Sequence, residues 1–188
     1  MPALGDASMG ESPGKLAEPG QAGFINNRGN GMSIPAKALF AADASQIPAG
    51  AFYTAGGTWY LSVDANQGNH GGMSAVVLTG QGKGGFVPQS YGTGTYIGGD
   101  YFVDIRVDNL EATASADAPW LPALLLGSEL TIFARQFGAD RLFTLAGMAS
   151  QGAGVAYDRR RFVRWEGWLC HNDGRTIGEA PLFTVEAE

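Results

Sequence analysis

Tyr96-Ile97-Gly98-Gly99-Asp100-Tyr101-Phe102-Val103-Asp104-Ile105-Arg106-Val107-Asp108 contains the cleanest alternation in the chain. Successive side chains of a strand point to opposite faces, so Tyr101, Val103, Ile105 and Val107 share one face. Asp100, Asp104, Arg106 and Asp108 share the other. One apolar face and one charged face describe a half-buried strand in an antiparallel sheet.

The same signal recurs on both sides of this stretch, with Gly-rich punctuation between segments. Residues 51–54 and 58–63 flank Ala55-Gly56-Gly57, a hairpin turn. Ser74 to Thr79 is a short apolar run suited to a strand buried on both faces. Glu129 to Phe137 and Arg141 to Gly147 flank Gly138-Ala139-Asp140. Arg161 to Leu169 and Ile177 to Val185 are split by Asn172-Asp173-Gly174, whose Asp-Gly pair is a strong turn signal. Eight or nine strands at intervals of about ten residues predict an all-β fold, a single β-sandwich or jelly-roll-like domain over residues 50–188.

Residues 1–49 differ. The first 32 have no hydrophobic period and repeated Gly and Pro, so alone they bury too little to offset their ordering entropy. They read as an extended arm that gains order on a neighbouring subunit, with Phe24, Ile25 and Arg28 as its contact candidates. Within 34–42, an N-cap at Ser33, Pro35 in the first turn and an Ala-rich continuation make the best helix candidate. An irregular connector is the other reading.

The chain has 188 residues, 45% apolar and 16% charged, with 29 glycines, a net charge of -6 and one cysteine. Charged residues are well below the roughly 25% usual for soluble domains, and glycine is about double its usual share. The acidic balance argues against a general nucleic-acid binder. A single Cys170 allows no internal disulfide, and no basic-then-apolar leader opens the chain. The longest apolar run, Trp120 to Leu126, is interrupted by Pro122 and is too short to span a bilayer. The expectation is a soluble protein made in a cytoplasm, with no membrane and no nucleic acid among its partners.

Motifs of chemistry resolve into blander features. Gly80-Gln81-Gly82-Lys83-Gly84-Gly85 matches a dinucleotide fingerprint literally, but Phe86-Val87-Pro88 cannot open the helix that the fingerprint needs. It reads as a loop. Asp100, Asp104 and Asp108, four apart on a strand, lie roughly 13 Å from one another and cannot surround one calcium ion. Arg160 and Arg164 have the same spacing, so a ladder of carboxylate–guanidinium pairs, within or between subunits, competes with two separately solvated faces. Arg159 to Arg161 make only a small basic patch. Cys170 and His171 are adjacent and point apart on a strand; His70 sits in a turn. No catalytic residue, metal site or cofactor is expected.

Aromatic residues Trp59, Tyr60, Tyr91, Tyr96, Trp165 and Trp168 lie on or beside strands. Trp, Tyr and Arg anchor protein interfaces, whereas Trp and Tyr open to solvent also stack on sugar rings. Between Thr58 and Gly99 the only formal charges are Asp64 and Lys83, a composition that invites association. Interface candidates are therefore Tyr91, Tyr96, Asp100, Asp104, Asp108, Arg160, Arg164 and Trp168, together with the arm residues.

A Gly-rich arm at 1–49, a compact β domain, one Cys and no catalytic signature resemble the structural proteins of tailed-bacteriophage virions, in particular capsid cement or decoration proteins. The likeness is one of architecture and assigns no residue a role. It implies a homo-oligomeric virion component whose partners are other protein subunits, the major capsid protein or another virion protein. A carbohydrate-binding β-sandwich is the alternative.

Overall fold

The computed structural model describes residues 33–64, 73–88, 92–107, 122–136, 139–150, 160–162 and 164–186. The arm over 1–32, with Phe24, Ile25 and Arg28, lies outside them, as do Tyr91, Asp108 and the side chain of Arg160. The fold is all-β and sandwich-like, built from antiparallel sheets.

The large sheet holds six strands: β1 (Leu39–Asp43), β2 (Phe52–Ala55), β3 (Thr58–Asp64), β4 (Met73–Val77), β5 (Phe86–Pro88) and β6 (Thr93–Ile97). Their order is β1-β6-β2-β3-β4-β5. The small sheet takes β7 (Tyr101–Val107), β13 (Arg164–His171) and β14 (Phe183–Glu186), in the order β14-β13-β7. A further sheet has β8 (Ala123–Leu126), β9 (Leu130–Gln136), β10 (Ala139–Thr144), β11 (Ala149–Ser150) and β12 (Arg160–Phe162), in the order β11-β10-β9-β8-β12.

Local chemistry explains the hairpins. Gly56 and Gly57, at φ 59° and 82°, form the tight turn between β2 and β3, a left-handed geometry that two-residue hairpins require. Phe52 then faces Leu61, and Tyr53 faces Tyr60. Residues 81–84 form a turn that leads directly into β5, which confirms the loop reading of the Gly-rich motif.

Tertiary pairing overrides three sequence expectations. Residues 34–42 do not form a helix: Ala36–Ala38 make one 3-10 turn without a side-chain cap, and Leu39–Asp43 become β1. Helix propensity is a weak prior, and here β6 offers five consecutive backbone partners, from Leu39↔Ile97 to Asp43↔Thr93. The folded domain therefore begins before residue 50, and Ile34 already packs on its core. Second, the stretch 96–107 is not one strand, because Gly98-Gly99-Asp100 turns the chain from the large sheet into the small one. Third, Arg160 and Arg164 belong to different sheets.

One core receives side chains from all three sheets: Phe52, Trp59 and Leu61 from the large, Trp165, Leu169, Phe183 and Val185 from the small, Leu124, Ile132 and Phe143 from the third. Phe86 stacks on Phe143 at 5.4 Å across the large and third sheets. Backbone bonds join these two sheets as well, from Asp64 N–H to Gly147 C=O at 2.7 Å and from Arg135 N–H to Gly84 C=O at 2.9 Å.

Phe183 lies at the centre of an aromatic cluster, 5.0 Å from Trp59, 5.7 Å from Phe52 and 5.9 Å from Trp165. It lies against bare Gly167, where a Cβ would overlap the ring. Gly167→Ala should therefore push Phe183 off this position and cost about 1–3 kcal/mol by overpacking. A thermal or urea melt checks this; an unchanged midpoint would remove Phe183 from its central role.

Candidate functional site

Strand parity decides which residues of the small sheet face outward. Trp165, Gly167 and Leu169 of β13 are buried, so Glu166 and Trp168 turn away from the core, while Cys170, of the same parity, is covered by Arg106 and Thr176. Register sets Trp168 opposite Asp104, Glu166 opposite Arg106, and Arg164 opposite Glu186. The outer face therefore gathers three of the sequence candidates, Asp104, Arg164 and Trp168, and adds Arg106 and Glu166.

The contacts run across the face as one line. Arg106 Nε donates to Asp104 Oδ2 at 3.1 Å, and its Nη2 donates to the Thr176 hydroxyl. The guanidinium carbon lies 4.7 Å from the Trp168 ring centroid, a cation–π contact. Trp168 Nε1–H donates to Glu166 Oε2 at 2.9 Å, while Arg164 Nη2 donates to Glu166 Oε1 at 3.3 Å. Arg164 Nε approaches Glu186 Oε1 at 3.6 Å.

Signs thus alternate from Asp104 to Glu186, and the indole is held on one ring face and at its N–H. Each exposed ion pair contributes at most about 1 kcal/mol. Their larger effect is to hold two rotamer-rich arginines in one arrangement on the face. Beside this line Phe102 is 43% exposed.

The carboxylate–guanidinium ladder takes a different form from the one expected. Asp104 pairs with Arg106 two residues along its own strand, and Arg164 pairs with Glu166 and Glu186. Asp100 is not on the strand; it sits in the turn before β7, where its C=O accepts the Asn172 N–H at 2.8 Å. Arg161 is no surface patch either. It is 3% exposed, and its Nη1 has no hydrogen-bond partner among the described residues.

Tyr96 belongs to another face. Register places Phe40, Tyr96, Tyr53 and Tyr60 in one row across the large sheet. Phe40 stacks on Tyr96 at 5.5 Å and Tyr53 on Tyr60 at 5.0 Å. Trp59 and Trp165 are core residues.

Cys170 and His171 do point apart: the buried thiol lies 3.8 Å from the Thr176 hydroxyl, and the imidazole meets the Tyr101 ring edge-on at 5.1 Å. A cavity of about 210 Å3 opens among Phe52, Ile97, Tyr101, Val103 and Leu145, and no carboxylate, imidazole or thiol lines it. Among the described residues no group of three or more His, Cys, Asp or Glu could hold a metal ion, and no helix is long and apolar enough to cross a membrane.

The signal for Arg106 and Glu166 was present in the sequence as parity. Arg106 shares the even-numbered face with Asp104, and Glu166 alternates with Trp165 and Gly167. Their meeting depends on the β7–β13 register, which a single sequence does not contain. Comparison with family models, with curated proteins and with solved structures finds no match.

The Asn172-Asp173-Gly174 turn borders this face. The Arg175 backbone N–H, donating to Asp173 Oδ1 at 3.0 Å, lowers that carboxyl to about 2, helped by the Arg175 side chain and His171. The folded value lies below the ordinary 3.8, so the stabilisation is present above about pH 4 and is lost as pH falls toward 2. Arg175→Ala should raise the Asp173 value part of the way, because the main backbone donor stays. A carboxyl-detected NMR titration measures it; a value already at the ordinary position would show the turn hydrogen bonds to be absent.

Proposed function

We propose that this chain is a non-enzymatic structural assembly protein that binds other protein subunits through the outer face of its small sheet. Its kind is that of a capsid cement or decoration protein, with residues 1–32 adding contact area on the same assembly. The observation that carries the reading is the braced pair of Arg106 and Trp168, set in a line of alternating charge beside exposed Phe102. Trp and Arg are the residue types that dominate interface energetics. Alternating charge gives a partner only one favourable register.

Particles from the source culture, separated on a density gradient and probed with an antibody to this chain, should carry it in the particle fractions. Particles stripped of it should rebind an Arg106→Ala/Trp168→Ala variant at least tenfold more weakly, about 1.4 kcal/mol, while the variant melts normally. Chain recovered only as free protein would overturn the assembly reading. Saturable binding on a glycan array would favour the carbohydrate alternative.

A further inference from the structure

Six described strands lie at the ends of the three sheets, and five of them are guarded. Natural edge strands avoid unwanted pairing by being short, charged or interrupted by proline. β5 has three residues and ends in Pro88; β11 has two; β12 has three, two of them arginines. β14 carries Glu186, engaged with Arg164, and β7 carries the Asp104–Arg106 pair. β1 is the least guarded: its one charge, Asp43, stands at its end, and Leu39-Phe40-Ala41-Ala42 before it is apolar with none of the four buried. Phe40 is 39% exposed.

Hydrogen-bond parity shows which backbone groups β1 leaves open. Gly98 N–H donates to Ala38 C=O at 3.2 Å, and Ala44 N–H donates to Gly92 C=O at 2.9 Å. In an antiparallel ladder, residues bonded to one neighbour alternate with residues bonded to the other side. Even-numbered residues of β1 therefore bond to β6, and Leu39, Ala41 and Asp43 direct their N–H and C=O groups outward.

We propose that β1 is a self-pairing edge: two copies of the chain join their large sheets antiparallel, about a two-fold axis at Ala41. Three features make a second copy the occupant. The open residues are symmetric about Ala41, so Leu39 bonds with the partner's Asp43, Ala41 with the partner's Ala41, and Asp43 with the partner's Leu39. That gives about six hydrogen bonds between chains.

No like charges meet across this axis, since Asp43 faces leucine. Each Phe40 falls opposite the partner's Ala42, whose small side chain leaves room for the ring. The two aromatic rows then lie two residues out of line across the joint, each ending on the partner's Ala42, beside which Gly94 adds no side chain. This edge is distinct from the outer face of the small sheet and does not depend on its having a partner.

Sedimentation velocity of the full chain between about 1 and 100 μM, a range that brackets weak association, should show a dimer. Ala41→Lys and Ala41→Glu should each be monomeric, because the axis sets two like charges against each other, and should melt as the wild type does at dilutions where it too is monomeric, because Ala41 is exposed. Mixing the two variants should restore the dimer. In the wild type, amide exchange at Leu39, Ala41 and Asp43 should be slow when concentrated and fast after dilution. A wild-type monomer throughout the range, a dimer that survives Ala41→Lys, or a mixture that stays monomeric would each overturn the proposal. None of these readouts involves Arg106 or Trp168, so failure here leaves the small-sheet reading untouched.

Discussion

The Phe183 ring resting on Gly167 is the contact on which the rest of the structure depends. Only a residue without a Cβ lets the ring come that close to β13, and only there does it reach Phe52, Trp59 and Trp165 together. The small sheet is thereby clamped to the large one. Trp165 carries the connection onward, its Nε1–H donating to the Pro122 C=O at 3.3 Å where β8 begins. Burying four aromatic side chains at one point contributes more than any polar contact described above, since each full burial is worth about 1.5–3 kcal/mol.

That clamp also sets the outer face. With odd-numbered residues of β13 committed to the core, Glu166 and Trp168 have no choice of direction, and β7 aligns Arg106 and Asp104 against them. A one-residue slip would send Trp168 inward and Leu169 outward, at the cost of the core. The polar line from Asp104 to Glu186 is therefore specified by apolar packing on the other side of the sheet.

Much of the fold was legible because glycine-rich turns and alternation act locally. The hairpin at Gly56-Gly57 and the turn at Asn172-Asp173-Gly174 fall where their sequences place them, but the strand expected over Ile177 to Val185 forms only at Phe183–Glu186. What was misread depends on distant partners. Leu39 to Ala42 has good helix formers but lies beside β6, whose ladder supplies more than helix propensity can. Gly98-Gly99 looked like a pause within one strand and is a change of sheet. Arg160 and Arg164 share a face only if one strand runs through both, and β12 and β13 belong to different sheets. For the candidate face, Trp168, Asp104 and Arg164 were readable as residue types, while their grouping waited on register.

The aromatic clamp has a consequence for biosynthesis. Phe52 and Trp59 are translated roughly 130 residues before Phe183, so the core is closed by a contact of very long sequence separation. At about 5–20 residues per second the early aromatics wait some seconds for their last neighbour. Through that interval the nascent chain presents an incomplete apolar surface, and closing the core of this protein waits on the synthesis of its last strand.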